Sequence, residues 1–273
     1  MTRTTLGAIG ALTLAAGAQA RPILFTIDDT RSSVDLEITL NINGLGPNTD
    51  SDSSPVSGSL LQSFDAPPAP GETTLYDFDA DLLDTLQFGW NYGILGSASA
   101  ILEMGAFADA TPAALDGPVP VVSSSATFPM VPVVGEGMLD VDFNFLLIGS
   151  GSESVDLGTL APSEADVTQT IDISGGVITL SGDVSIQTTQ PLELNGSQIG
   201  TVTIVGDLTL VATAPAPGCN ADLNADGSAS FPDVSLFLAA FTGSDLSADF
   251  NADGAVSFPD VSAFLSQFAA GCP

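Results

Sequence analysis

Ser33-Val34-Asp35-Leu36-Glu37-Ile38-Thr39-Leu40-Asn41-Ile42-Asn43 alternates without a break. Val34, Leu36, Ile38, Leu40 and Ile42 fall on one side of an extended chain, and Asp35, Glu37, Thr39 and Asn41 on the other, because successive strand side chains point to opposite faces. One apolar and one polar face is the pattern of an antiparallel sheet with a single buried side. The two-residue period returns in Leu139, Val141, Phe143, Phe145 and Leu147, set against Asp140, Asp142 and Asn144. It returns again in Ile178, Leu180, Val184 and Ile186, and in Val202, Ile204, Leu208 and Leu210. Asn195-Gly196, between the last two runs, predicts a tight hairpin, since a type I′ turn needs positive φ at both central residues.

No helical period of useful length interrupts this pattern from Ile23 to Thr213. Residues 21–213 are therefore expected to form an antiparallel β-sandwich or a flattened barrel, of roughly ten strands. Thr111–Pro132 carries Pro112, Pro118, Pro120, Pro129 and Pro132. It reads as a long connection or an edge strand, because proline cannot donate to a sheet ladder. If the domain has two halves, they divide there. Residues 214–218, Ala-Pro-Ala-Pro-Gly, read as a short, stiff linker.

Beyond the linker the chain says the same thing twice. Asp222-Leu-Asn224-Ala-Asp226-Gly227-Ser228-Ala-Ser230-Phe231-Pro232-Asp233 is answered by Asp249-Phe-Asn251-Ala-Asp253-Gly254-Ala255-Val-Ser257-Phe258-Pro259-Asp260. Each copy has oxygen side chains at positions 1, 3, 5, 9 and 12 and glycine at 6, the spacing of an EF-hand-type calcium loop. Calcium is a hard ion that takes six to eight oxygens. The expected ligands are Asp222, Asn224, Asp226, the Ser228 carbonyl, Ser230 and Asp233 for one ion. For a second they are Asp249, Asn251, Asp253, the Ala255 carbonyl, Ser257 and Asp260. After each loop a helix is predicted with Val234, Phe237, Leu238 and Phe241, or Val261, Phe264, Leu265 and Phe268, on its buried side.

Paired loops of this kind, each followed by one helix and lacking an entering helix, resemble a type I dockerin. The resemblance covers Cys219–Pro273, and the flanking Gly218-Cys219 and Gly271-Cys272-Pro273 are similar to a cysteine-flanked variant found at the ends of exported bacterial proteins. It implies a small calcium-folded domain that ties an extracellular protein, often a polysaccharide-degrading one, to a cohesin scaffold. Cohesin contacts in that family use polar or small residues at positions 10 and 11 with basic residues on the helix. This chain has Phe231-Pro232 and Phe258-Pro259 there and no lysine or arginine in the tail, so a cohesin-like partner or another cell-surface protein is the expectation.

Cys219 and Cys272 are the only cysteines. In an exported chain such a pair reads as a disulfide, and no cation stands nearby to activate a thiol. Export itself is expected from residues 1–20: Arg3, an apolar run from Leu6 to Ala16, and Ala18-Gln19-Ala20 form a signal-peptide pattern, too short to span a bilayer. The mature protein is thus expected outside the cell or at its surface, with no membrane span. With 33 acidic residues, three arginines, no lysine and no histidine, the net charge is −30. Such a field repels nucleic acid and anionic lipid and suits divalent cations. Without histidine there is no Ser-His-Asp or Cys-His nucleophile and no imidazole zinc site.

The β-domain is less informative. Phe88, Trp90 and Tyr92 alternate with polar or small residues; they fit a buried strand face better than a sugar platform, because Leu86 continues their side. Asp77, Asp79, Asp81 and Asp84 read as a solvated strand end, since the glycine turn of a calcium loop is missing. Glu37, Glu72, Glu103, Glu136, Glu153, Glu164 and Glu193 contain any glycosidase pair there is, and none is assigned as catalytic. Two functions are carried forward: a non-catalytic exported β-domain held by a calcium module, and a carbohydrate-active protein, either a polysaccharide hydrolase or a sugar-binding module, carried by the same tail. The tail is expected to fold on calcium without changing the melting of the β-domain.

Overall fold

The computed structural model describes residues 22–65, 70–111, 115–146, 149–194, 197–217, 219–251 and 253–272. The expected signal peptide, Leu147 and the Asn195-Gly196 turn lie outside them. The described chain is mainly antiparallel β, followed by two helices. The strands are β1 (Pro22–Ile27), β2 (Ser33–Ile42), β3 (Gly46–Phe64), β4 (Glu72–Leu82), β5 (Leu86–Asn91), β6 (Gly96–Asp109), β7 (Asp116–Pro120), β8 (Ser125–Phe145), β9 (Gly149–Asp156), β10 (Ser163–Ser174), β11 (Val177–Leu194) and β12 (Ser197–Pro215). The helices are α1 (Phe231–Gly243) and α2 (Phe258–Ala270).

The sheet is ring-like. Pairing runs β3-β2-β12-β11-β10-β8-β6-β4, and β4 returns to β3. β3 closes the ring by using both of its edges: one carries β2 at Gly46–Pro55 and β1 at Ser59–Ser63, and the other carries β4 at Val56–Phe64. In the β4-paired half stands Gly58, where a Cβ would lie 2.0 Å from the Asp79 carbonyl oxygen. Closing a sheet on itself leaves fewer bare edges. The inward residues of β2 are 2% exposed or less and join one continuous apolar core with Phe25, Phe64, Trp90 and Phe128.

The aromatic row of β5 faces this core, as its alternation predicts. Phe88 and Trp90 are buried. The Trp90 indole N–H donates to the Ile38 carbonyl (3.1 Å), and the Tyr92 hydroxyl donates to the Leu40 carbonyl (2.6 Å).

The proline-rich stretch resolves into two things. β7 is a short edge strand paired to β4. Pro129 and Pro132, however, lie inside β8. The register slips at Pro129, so that Pro129 and Met130 together oppose Asp166, whose carboxylate accepts the Met130 N–H (3.0 Å), while Pro132 stays in register with Glu164. A bulge leaves residues outside the ladder, which is where a strand tolerates proline. At the other end, Ala214 is buried and Pro215 still pairs with Val177, so β12 continues into the expected linker.

The tail has a separate small core of Ala221, Phe237, Ala248, Phe250 and Phe264. Phe237 and Phe264 stack at 4.2 Å with an interplanar angle of 1°, one from each helix. Phe250 meets both rings edge-on, at 5.4 and 5.2 Å. Leu238 and Leu265 depart from expectation: they are 51% and 53% exposed. Phe250 closes the edge of the stacked pair, and only the narrow stripe of Val234, Phe237 and Phe241, with its counterpart in α2, is covered. Among the described residues, no helix is long and apolar enough to cross a membrane.

Candidate metal centre in the C-terminal loops

Each loop is shaped by its own carboxylates. Asp222 accepts from the N–H groups of Asp226 (3.0 Å) and Gly227 (2.8 Å), and Asp249 accepts from those of Asp253 (3.2 Å) and Gly254 (2.9 Å). These bonds fold the chain sharply at position 6, where Gly227 and Gly254 adopt φ of 90° and 82°. Only glycine takes that conformation without strain.

Position 12 closes the loop and opens the helix at once. Asp233 accepts from Leu223 and Asn224 N–H through one oxygen and from Ser230 N–H through the other (2.7 Å). Asp260 repeats this with Phe250, Asn251 and Ser257. Ser230 and Ser257 are helix N-caps, with proline in the first turn behind each, an arrangement favoured at helix starts. Asn224 and Asn251 turn their amide N–H to Asp226 and Asp253, both at 2.8 Å.

Asp222, Asp233, Asp249 and Asp260 are all 0% exposed. Taking an ionised carboxylate out of water is costly unless a cation or several donors compensate. Among the described residues the only side-chain cation is Arg31, which pairs with Asp28 (3.8 Å), far along the chain. Burial alone would raise Asp233, but the N–H groups of Ser230, Asn224 and Leu223 outweigh it and hold the carboxyl below its ordinary value. Asp249 goes the other way. Burial pushes it up to about 6 against the Gly254 and Asp253 N–H groups, with the charges of Asp260 and Asp253 adding to the rise.

The structure brings the twelve expected ligand positions into two matching loops. Among the described residues, however, it gathers no group of three or more carboxylate or cysteine side chains tightly enough to hold a metal. The oxygens of Asp226 and Asp253 are taken by Asn224 and Asn251 amides and by the N–H groups of Ser228 and Ala255 (3.0 Å each). The donor set suits calcium in kind: carboxylates, an amide, a serine and a backbone carbonyl are hard oxygens, and no soft ligand is present. Cys219 and Cys272 are joined as a disulfide, with Cα atoms 5.1 Å apart, and tie the start of the first loop to the end of α2.

Phe250 escaped the sequence reading. Its signal was an apolar residue at position 2 of both loops, Leu223 and Phe250, in otherwise polar surroundings. In the β-ring the six glutamates whose side chains are described, Glu37, Glu72, Glu103, Glu136, Glu153 and Glu164, are all exposed; a glycosidase acid needs a sheltered carboxyl. Asp77 and Asp116 have raised pKa values through burial first and the charge of Asp109 second. No family model matches the chain, and no curated protein matches it either.

Proposed function

We propose that the protein is an exported, non-catalytic β-domain held at a cell surface or in an extracellular matrix by a calcium-dependent, dockerin-like tail. One observation carries this reading: two matched loops each bury two carboxylates, while among the described residues the one side-chain cation, Arg31, pairs with Asp28. Calcium would supply positive charge at these loops. Asp222, Asn224, Asp226, Ser230, Asp233 and the Ser228 carbonyl would hold one ion, and the six corresponding residues of the second loop another. The chain's own part is to preset positions 1 and 12 through backbone N–H groups, while Asp226 and Asp253 would exchange the Asn224 and Asn251 amides for the ion.

The same tail offers a face for a partner. Phe231 and Phe258, at position 10 of each loop, are 78% and 75% exposed. Exposed aromatic rings beside a strongly acidic surface suit a protein with apolar pockets and a basic rim. This supports a cell-surface partner other than one selecting small polar residues at those positions.

Calorimetric titration of the full chain with calcium tests the reading, with two ions bound as the expected result and fewer than two as the result that sinks it. A pull-down from the exported proteins of the source organism should then retain a partner in calcium and lose it in chelator. Phe231→Ala combined with Phe258→Ala should abolish retention and leave both ions bound.

A further inference from the structure

The two loops repeat each other in sequence but not in setting. Around Gly227 nothing lies within 4 Å of the point where a Cβ would stand, whereas Leu115 side-chain atoms come within 3.6 Å of that point at Gly254. Asn224 and Gly227 are exposed, while Asn251 and Gly254 are half-buried. The short turn Leu246–Ala248, which leads into the second loop, also touches β1.

Leu115 immediately precedes β7, and β7 pairs with β4. On β4, Tyr76 is the extra residue of a bulge, since Leu61 pairs with Asp77 and Gln62 with Leu75. A bulge re-aims a side chain. Tyr76 is fully buried and yet belongs to neither apolar core. Its hydroxyl is raised well above the usual tyrosine range by burial first and then by Asp249, with Asp253 and Asp260 contributing; all three belong to the second loop.

From this placement we propose that the second loop is the seat of the tail on the β-ring, so that cation binding there, and not in the first loop, is coupled to the stability of the ring. The inference rests on the calcium reading. Asp249 and Asp260 are both buried in this loop, and like charges in such a site resist close packing. A cation held between them relieves that repulsion and orders the surface that Leu115 packs against. A ligand that binds only the docked form stabilises whatever that form includes. In the first loop Asn224 and Gly227 are exposed, and Leu223, Asn224 and Ala225 face Ile23, Leu24 and Pro215 across a cavity. The tail therefore does not fold independently of the ring, contrary to what a stiff linker suggests.

Trp90, the single tryptophan, is buried in the ring, so its fluorescence reports the ring alone. Thermal unfolding of the full chain is followed at Trp90 in calcium and in EDTA, beside a calorimetric count of bound ions. Calcium is expected to raise the Trp90 midpoint by about 3 °C or more. That rise should survive Asp226→Ala and vanish in Asp253→Ala. It should also vanish in Leu115→Ala, which lies outside the ligand set and still binds two ions. Two ions bound with an unmoved midpoint would overturn the coupling, as would a rise that Asp226→Ala abolishes. Should Leu115→Ala weaken the ring by itself, hydrogen exchange of the unaltered chain decides: calcium must slow the amides of β7 and Leu75–Asp77. Unchanged exchange there with two ions bound overturns the proposal, and no bound ion at all defeats the calcium reading first.

Discussion

The ring and the tail reach stability by different routes. The ring buries the inward faces of its strands in one core that includes Phe25, Leu36, Ile38, Phe64, Trp90 and Phe128. The tail has five fully covered apolar residues, three of them phenylalanine, and must also shelter four carboxylates. A unit of some fifty residues seldom holds together on so small a core, and natural solutions add a disulfide or a metal. The contrast explains why both cysteines and both oxygen-rich loops are concentrated in the last fifth of the chain. What stabilises the ring is spread over many contacts; what stabilises the tail is concentrated in a few chemical links that can be cut one at a time.

Cutting those links together should have the largest effect. The disulfide closes a separation of 53 residues, which on the loop-entropy account contributes about 4 kcal/mol. Reductant with EDTA is expected to abolish the far-ultraviolet signal of α1 and α2 while Trp90 keeps its native emission at room temperature. Persistence of the helical signal under both treatments would erase the distinction between the two regions. The next test applies one chemical change to both. Phe128→Ala and Phe250→Ala each empty a fully buried site, at a cost of about 3–5 kcal/mol. In the ring that loss should lower the melting midpoint and leave a folded domain. In the tail it should exceed the available stability, and Phe250→Ala should lose calcium binding along with its helices.

A smaller effect separates the regions by pH. Asp249 is raised from 3.8 to about 6 by burial, so over that interval the folded tail holds its proton more tightly than the unfolded chain. Its contribution to stability is complete below the ordinary carboxyl value and is lost as pH rises through about 6. Asp233, held low by its N–H donors, contributes in the opposite sense, and its share is lost only as pH falls through its depressed value. In EDTA the tail should melt at lower temperature as pH rises across the Asp249 interval, and Asp249→Asn should flatten that slope. With calcium the slope should reverse, because the ion competes with the proton for the same oxygens. A flat profile in EDTA would count against a buried, crowded Asp249.

Much of this was legible before any coordinates. The period of two in Val34–Ile42 carried the buried face of β2 because a strand with one wet side leaves no other solution. The loops were legible because glycine and oxygen side chains recur at fixed positions, and the disulfide because only two cysteines exist. Features that depend on a distant partner were not. Pro129 looks like a strand breaker until it is seen to form, with Met130, a bulge opposite Asp166. Tyr76 sits among alternating residues, and nothing local says that a bulge takes it out of the ladder. Phe250 fell within a stretch read for its oxygens, so its ring was overlooked.

The finest test concerns which side of each helix is covered. Helical spacing groups Phe237, Leu238 and Phe241 on one side, yet Phe237 is 1% exposed and Leu238 51%. The reason is geometric: neighbouring residues stand about 100° apart around a helix axis, and with Phe237 stacked directly on Phe264 and Phe250 edge-on to both the core reaches only as far as the Phe237 stripe. Removing the Leu238 side chain therefore takes away little buried area. Leu238→Ala is expected to change the tail's stability by no more than about 0.5 kcal/mol, where Phe237→Ala unfolds it. Chemical denaturation of the calcium-loaded protein, followed by helical signal, measures both. A Leu238→Ala loss near that of a core residue would mean that the tail packs its helices over a broader face, and that its core is nearer to the ring's in kind than the exposed leucines imply.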